Sequence, residues 1–262
     1  MSHEETSPIS TALQSLLPVA ALLLMDGLGC WLTEKPMSSQ YALAVLVAEL
    51  ILLIVFSKGQ ICNGQRGRLI KANNYLVLFW GAWALIAIGQ SAVSVLLLSL
   101  IGGAVIGVIY LRRFLSVAAI LAFVGSGLSL SITAQMAVSP LTWLRDNPVA
   151  QMLLGVILAN LFLSISRNRL QGFIGLLPFA MAILLVLNVI YTLAMLAAFP
   201  EQVQTRPDLP AELPILLYFA LHLVMMGILA VHILRKIKLD YFNLILLLLL
   251  AASLPLWLGF VI

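Results

Sequence analysis

Eleven of the fourteen Lys and Arg residues in this chain lie in four short connections, one at every second gap between long apolar segments. Cytoplasmic loops of membrane proteins carry an excess of Lys and Arg, whereas the opposite loops do not. The basic connections hold Lys58, Arg66, Arg68, Lys71, Arg112, Arg113, Arg167, Arg169, Arg235, Lys236 and Lys238, against Lys35, Arg145 and Arg206 elsewhere. This alternation predicts a multi-pass membrane protein with a cytoplasmic N-terminus and a C-terminus outside.

The composition agrees, because it excludes a soluble domain. Hydrophobic residues make up 63% of the chain and charged residues only 9%, and the mean hydropathy is +1.12. A water-soluble fold of this size has too little interior to bury that much apolar surface, whereas a bilayer solvates it. The basic turns account for the net charge of +4, so we expect the lipid bilayer as a partner and no nucleic acid. The predicted location is a bacterial-type inner membrane.

Nine apolar segments are long enough to cross a bilayer, which takes about 20 residues. They cover residues 12–33, 40–57, 75–93, 95–111, 114–138, 149–166, 172–199, 213–234 and 241–261. Only Ser94 and its neighbours separate the third segment from the fourth. Lipid offers no partner for free backbone groups, so helices are the expected form. We therefore predict an all-α fold in which residues 1–262 form one transmembrane helical bundle.

Two acidic side chains interrupt the first two segments. Asp26 lies about seven residues before the outer end of the first segment, and Glu49 lies about nine residues into the second. At 1.5 Å of rise per residue, they lie roughly 10 and 14 Å below the same face. A charged residue at the bilayer centre costs about 2.5–3.5 kcal/mol, so such residues mark functional sites by default. Since a short hairpin joins the two helices, the two carboxyl groups are predicted to come close together.

Four further polar side chains are predicted at a similar depth on three other segments. They are Asn160 in the sixth segment, Asn188 in the seventh, and Tyr218 with His222 one turn later in the eighth. If these faces converge with the acids, they form a midplane site where carboxyl groups bind H⁺ or Na⁺ and amides orient a substrate. The alternatives are an interfacial Asp26 and purely structural hydrogen bonds between helices, above all for the two asparagines.

Small residues in the fourth segment predict a close approach of helices. Gly102, Gly103 and Gly107 occur there, and the last two form a GxxxG pattern. Such patterns let two helix backbones pack closely in a membrane. We therefore expect this helix to pack tightly against a neighbour.

No sequence motif indicates a cofactor or a metal. Cys30 and Cys62 fall on opposite sides of the predicted membrane, so they cannot pair, and the motifs of hydrolases, zinc enzymes and nucleotide-binding loops do not occur. An enzyme is therefore not the favoured interpretation. The favoured one is an ion-coupled secondary transporter that uses the midplane polar site. The alternative is a non-catalytic membrane subunit or assembly factor, with other membrane subunits or a second copy as partners.

Overall fold

A computed structural model shows a bundle made of helices alone in the residues that it describes, namely 8–33, 39–59, 61–112, 114–137, 139–166, 171–203 and 212–260. The helices are α1 (Pro8–Thr33), α2 (Ala42–Lys58), α3 (Asn63–Asn74), α4 (Leu76–Gly89), α5 (Val93–Leu111), α6 (Leu115–Met136), α7 (Thr142–Arg145), α8 (Pro148–Ile165), α9 (Gln171–Ala198), α10 (Glu212–Leu234) and α11 (Tyr241–Leu258), with a 3₁₀ turn at Pro200–Gln202. The predicted all-α fold is confirmed.

Eight of the helical stretches in the described part of the chain are long and apolar enough to cross a membrane. Two of these stretches each combine two helices: α3 and α4 form one stretch, and α7 and α8 form another. The second of the nine predicted segments is also helical, but α2 has only 17 residues. Eleven of these residues are buried, so neighbouring helices rather than lipid cover most of its side chains. These stretches indicate a multi-pass membrane protein.

The boundary between the third and fourth segments differs from the prediction near Ser94. Helix α4 ends at Gly89 and α5 begins at Val93. Ser91 has a left-handed backbone with φ 54. The backbone N–H of Ala92 donates to the carbonyl of Ala87 at 2.9 Å, and that of Ser91 donates to Ile88 at 3.2 Å. These are the two hydrogen bonds of a Schellman motif, which ends a helix by satisfying its last carbonyls.

We call the side of the bundle that carries the basic connections the basic side, and the opposite side the outer side. The first basic connection is largely helical, because it contains α3. Arg68 on α3 donates through Nε to the carbonyl of Ser166 at 3.1 Å, which ties α3 to the end of α8. Arg113, Arg167, Arg169, Lys35 and Arg206 lie outside the described residues.

The centre of the bundle is the crossing of α2 and α8. Helix α2 packs against α8 and α6, and α8 also packs against α9 and α11. At the crossing, Gly155 on α8 meets α2 so closely that a Cβ atom there would lie 2.6 Å from the carbonyl oxygen of Ala44 and 2.8 Å from the side chain of Val47. Glycine is therefore required at position 155, because any side chain would force the two helices apart.

The small residues of α5 play different roles from those predicted. A Cβ atom at Gly102 would overlap the indole ring of Trp80, so this glycine does allow α5 to approach α4. At Gly103 and Gly107, in contrast, an added Cβ would meet nothing within 4 Å. The GxxxG pattern therefore lies away from the helix contact within this chain, because it occupies the neighbouring face of α5.

Candidate functional site

Asp26 is buried on α1 and accepts three hydrogen bonds. Its Oδ2 accepts from the hydroxyl of Ser39 at 2.6 Å and from the indole Nε1 of Trp83 at 3.0 Å. Its Oδ1 accepts from the backbone N–H of Gln40 at 3.0 Å. The side chain is only 1% exposed. Every bond joins α1 to another part of the bundle: two reach the residues just before α2, and one reaches α4.

Glu49 lies in the middle of α2 and is completely buried. Its Oε1 accepts one hydrogen bond, at 2.9 Å, from the indole Nε1 of Trp80. Its Oε2 has no hydrogen-bond partner among the described residues. A buried polar atom without a partner costs about 1–3 kcal/mol. Such an atom calls for an explanation, and a functional role is one of the recognised ones.

The two acids are not hydrogen-bonded to each other in the described structure, although the sequence predicted that they would come close together. Each is instead bonded to one of two tryptophans on α4, Trp80 and Trp83, which are three residues apart and so share a helix face. The common element is therefore α4, which brings the carboxyl groups of α1 and α2 to neighbouring turns. Asn73 lies two turns before Trp80 and is also fully buried, and neither polar atom of its side chain has a partner among the described residues.

A small cavity adjoins both tryptophans. About 10 Å³ of it is open to the centre of a water molecule, which is on the order of the space that one water needs. It is lined by the indoles of Trp80 and Trp83 and by four hydroxyl residues and four apolar residues, which are Ser39, Ser99, Ser129, Thr133, Ala42, Val95, Leu98 and Ile132. The partners of both acids thus face one cavity of mixed polarity.

Asn188 is the centre of a second polar group, on the α8, α9 and α10 side of the bundle. Its Oδ1 accepts from Nδ2 of Asn147 at 2.6 Å. Its own Nδ2 donates to the hydroxyl of Tyr218 at 3.0 Å and contacts Nε2 of His222 at 2.9 Å. All four side chains are buried.

The remaining bonds fix the proton positions in this group. Nδ1 of His222 lies 2.8 Å from the carbonyl of Tyr218. A carbonyl only accepts, so Nδ1 carries the hydrogen, and Nε2 of the neutral ring accepts from Asn188. The hydroxyl of Tyr218 also pairs with that of Thr192 at 2.8 Å. Every polar atom of Asn188 and His222 thus has a partner within the protein.

The starts of α2 and α8 lie inside the bundle. Gln40, two residues before α2, bonds to Asp26, which lies seven residues before the end of α1. Asn147 caps α8 by accepting from Val149 N at 2.8 Å, and it bonds Asn188, which lies ten residues before the end of α9. At 1.5 Å per residue, these starts lie roughly 10 and 15 Å below the outer ends of α1 and α9. Non-helical backbone is tolerated at such depth only where protein covers it.

The six residues singled out by the sequence therefore fall into three places. Asp26 and Glu49 flank α4, and Asn188, Tyr218 and His222 form one connected group. No hydrogen bond between described residues links these two groups. Asn160 on α8 is buried but forms no side-chain hydrogen bond with another described residue.

The sequence reasoning missed the residues that hold the acids and Asn188. Trp80, Trp83 and Asn147 each had a detectable signal. A tryptophan inside a membrane segment carries an indole N–H that needs a partner when buried. Asn147 directly precedes Pro148, which is the pattern of a helix cap followed by a first-turn proline.

The described residues contain no group of three or more His, Cys, Asp or Glu side chains that could hold a metal ion. The acids instead accept hydrogen bonds from indole, hydroxyl and backbone N–H donors.

Two comparisons with known proteins give matches that cover nearly the whole chain. A family model described as an integral membrane domain matches residues 5–260. An uncharacterised protein of Haemophilus influenzae is 37% identical over 268 residues, covering 98% of this chain and 99% of the relative. No solved structure matches. This chain therefore belongs to the family defined by that integral membrane domain.

Proposed function

We propose that this protein is a proton-coupled secondary transporter in which Asp26 and Glu49 are the coupling groups. The observation that carries the proposal is Glu49: its carboxyl group is fully buried on a central helix, and one of its oxygens has no partner among the described residues. Buried acids in membrane segments are costly and occur mainly on ion pathways and proton relays. A carboxyl with one free oxygen has the capacity to take up a proton and release it again.

A line of polar groups along α3 and α4 supports a proton route through the bundle. From the outer side it consists of Ser39, Asp26 with Trp83, Glu49 with Trp80, and then Asn73 near the basic side. The small cavity beside both tryptophans supplies room for a water molecule next to this line. In this proposal each carboxyl group takes up and releases a proton, and substrate movement is coupled to that exchange.

The second polar group has a different role in the proposal. Asn188, Tyr218 and His222 satisfy one another, so they hold α9 and α10 against the start of α8 rather than binding a substrate directly. Asn160 is assigned no coupling role, because it contacts neither group by a hydrogen bond.

Proton binding is tested without knowledge of the substrate by infrared spectroscopy of the purified protein during a pH titration. The wild type is expected to show carboxylic acid bands that Glu49→Gln and Asp26→Asn remove one at a time. Glu201→Gln, which changes an exposed acid on the outer side, is the matched control and should leave those bands unchanged. Bands that persist in both variants would contradict the assignment.

Transport is tested in proteoliposomes that enclose a pH-sensitive dye. Amino acids, sugars, organic acids and inorganic cations are added one class at a time. At least one class is expected to move protons in the wild type and in Glu201→Gln, and in neither buried-acid variant. If no class moves protons, or if Glu49→Gln transports as well as the wild type, coupling by these acids is wrong.

A second function, a membrane subunit or assembly factor of a larger complex, is favoured by the other polar group. The side chains around Asn188 pair with one another, as expected of interhelical hydrogen bonds that only hold a scaffold together. The experiment is extraction of the tagged protein from its native membrane in a mild detergent, followed by mass spectrometry. Stoichiometric recovery of other membrane proteins would favour this function over a transporter that acts alone.

A further inference from the structure

A pocket on the basic side, distant in the chain from the acids, is the basis of a separate inference. It has a volume of about 350 Å³ and lies between the first turns of α9 and the end of α10. Pockets that hold small molecules begin at about this size. Its walls are mostly apolar, with Pro178 and Phe179 from α9 and Ile233 from α10. His232 also lines it, and Lys236 and Lys238 lie at its rim.

We propose that this pocket binds an anionic phospholipid of the leaflet on the basic side, with the phosphate at Lys236 and Lys238 and an acyl chain along Phe179. Basic pockets between transmembrane helices on this side of a membrane bind anionic lipid headgroups. The inference does not rest on the transport function proposed above.

The two lysines are available to an outside anion. Both are exposed, and neither forms an ion pair with a described residue, since the single such pair is Arg145 with Asp146. The nearest acid along the chain is Asp240, and its Oδ1 is engaged in capping α11 through the backbone N–H of Asn243 at 2.8 Å. Both ammonium groups at the rim are therefore without an ion-pair partner among the described residues.

The backbone holds the lysines in place. Lys236 has a left-handed backbone with φ 54, a conformation that usually calls for glycine. Its N–H donates to Ile233 at 3.2 Å, and the next N–H, of Ile237, donates to His232 at 3.0 Å. This Schellman motif ends α10 sharply and turns the chain at the pocket rim. A lysine at a position suited to glycine costs stability, which points to a use for its charge.

The apolar walls of the pocket favour a phospholipid over a soluble anion as its ligand. Phe179 is 54% exposed and Ile237 is 53% exposed. Both lie on the surface that the bundle turns towards the lipid. Pro178 lies inside α9 and lines the pocket, and a proline inside a helix favours a kink. A soluble phosphate would leave these walls uncovered, whereas a phospholipid covers them with its chain and neutralises the lysines with its headgroup.

The test is native mass spectrometry of the purified protein with phosphatidylglycerol and, separately, phosphatidylcholine. The charge variant is Lys236→Gly with Lys238→Gln, because glycine keeps the left-handed turn without strain. The matched control is Arg112→Gly: Arg112 has the same left-handed backbone at the end of α5 but does not line this pocket. A lysine near an anionic headgroup contributes about fivefold in affinity, so the double variant should bind phosphatidylglycerol roughly thirtyfold more weakly.

The acyl chain is tested by filling the pocket. Gly175 lines it, and an added Cβ there meets nothing within 4 Å, so we expect Gly175→Leu to narrow the pocket while leaving the backbone of α9 in place. Gly127→Leu, at an equally open glycine on α6, is the control. Gly175→Leu is expected to weaken binding of phosphatidylglycerol, and Gly127→Leu is not.

Four results would overturn the inference. The first is equal binding of the two lipids by the wild type. The second is a loss in Arg112→Gly as large as in the lysine variant. The third is full lipid affinity in Gly175→Leu. The fourth is displacement of the lipid by glycerol phosphate at equal concentration, which would mean that the site takes a soluble anion instead.

Discussion

The indole of Trp80 donates a 2.9 Å hydrogen bond to Glu49, and it is the sole partner of that carboxyl group among the described residues. A tryptophan on α4 thus holds a buried acid on α2 by a single contact. Asp26, in comparison, has three donors. The two acids therefore differ in how firmly they are held, and the difference can be measured.

Replacing the indoles by phenyl rings should affect the two acids unequally. Trp80→Phe leaves the Glu49 carboxyl without a donor, whereas Trp83→Phe leaves Asp26 with two of its three. We expect Trp80→Phe to lower the free energy of unfolding by about 1–3 kcal/mol and Trp83→Phe by about 1 kcal/mol or less. Unfolding of the two variants in mixed micelles measures this, and equal losses would contradict the difference between the two acids.

Alanine at two neighbouring glycines of α5 should separate a packed face from an open one. In Gly102→Ala the new methyl group would overlap the Trp80 ring and push the indole away from Glu49, whereas in Gly103→Ala it meets nothing within 4 Å. Overpacking of this kind costs about 1–3 kcal/mol. Thermal unfolding in detergent should therefore show a loss for Gly102→Ala alone. A loss of similar size in Gly103→Ala would show that this glycine contacts a partner outside the chain.

The crossing of α2 and α8 should be the least tolerant position in the bundle. In Gly155→Ala the new Cβ would lie 2.6 Å from the carbonyl oxygen of Ala44, which belongs to a helix backbone and cannot rotate away. We expect a larger loss of thermal stability than in Gly102→Ala, where a side chain has some freedom to shift. The same unfolding measurement ranks the two variants, and the reverse order would contradict so close a crossing of the two helices.

Two buried asparagines on adjacent helices offer a matched test of the second polar group. Asn188→Leu removes the hydrogen bonds to Asn147, Tyr218 and His222 and leaves their polar atoms without that partner. We therefore expect the free energy of unfolding to fall by about 2–4 kcal/mol. Asn160→Leu removes no side-chain hydrogen bond between described residues, so its unfolding free energy should change by less than about 1 kcal/mol. Equal effects would mean that Asn160 has a partner outside the described chain.

The predicted orientation is checked with the two cysteines. Cys62 is exposed within the first basic connection, and Cys30 is half-buried near the outer end of α1. A membrane-impermeant maleimide should label Cys62 in inverted vesicles and not in intact cells, and Cys30→Ser should not change that pattern. Labelling of Cys62 in intact cells that carry the Cys30→Ser change would reverse the predicted topology.

The fold class, the membrane location and nearly all of the helices follow from the amino-acid sequence alone. These properties depend on long-range composition and on the cost of placing charges or free backbone groups in lipid, which act on each segment separately. The boundary near Ser94 was misplaced because a left-handed residue, Ser91, ended the helix earlier than the apolar pattern did.

Which polar groups meet depends, in contrast, on how the helices pack. Depth along a helix follows from counting residues, but the direction in which a side chain faces depends on how that helix is rotated against its neighbours. Counting residues therefore predicts a comparable depth for Glu49 and His222. The packing of the helices decides that Glu49 contacts Trp80 and that His222 contacts Asn188. In a membrane all apolar faces are nearly equivalent to lipid, so close contacts such as Gly155 against Ala44 fix the rotation, and hydropathy does not.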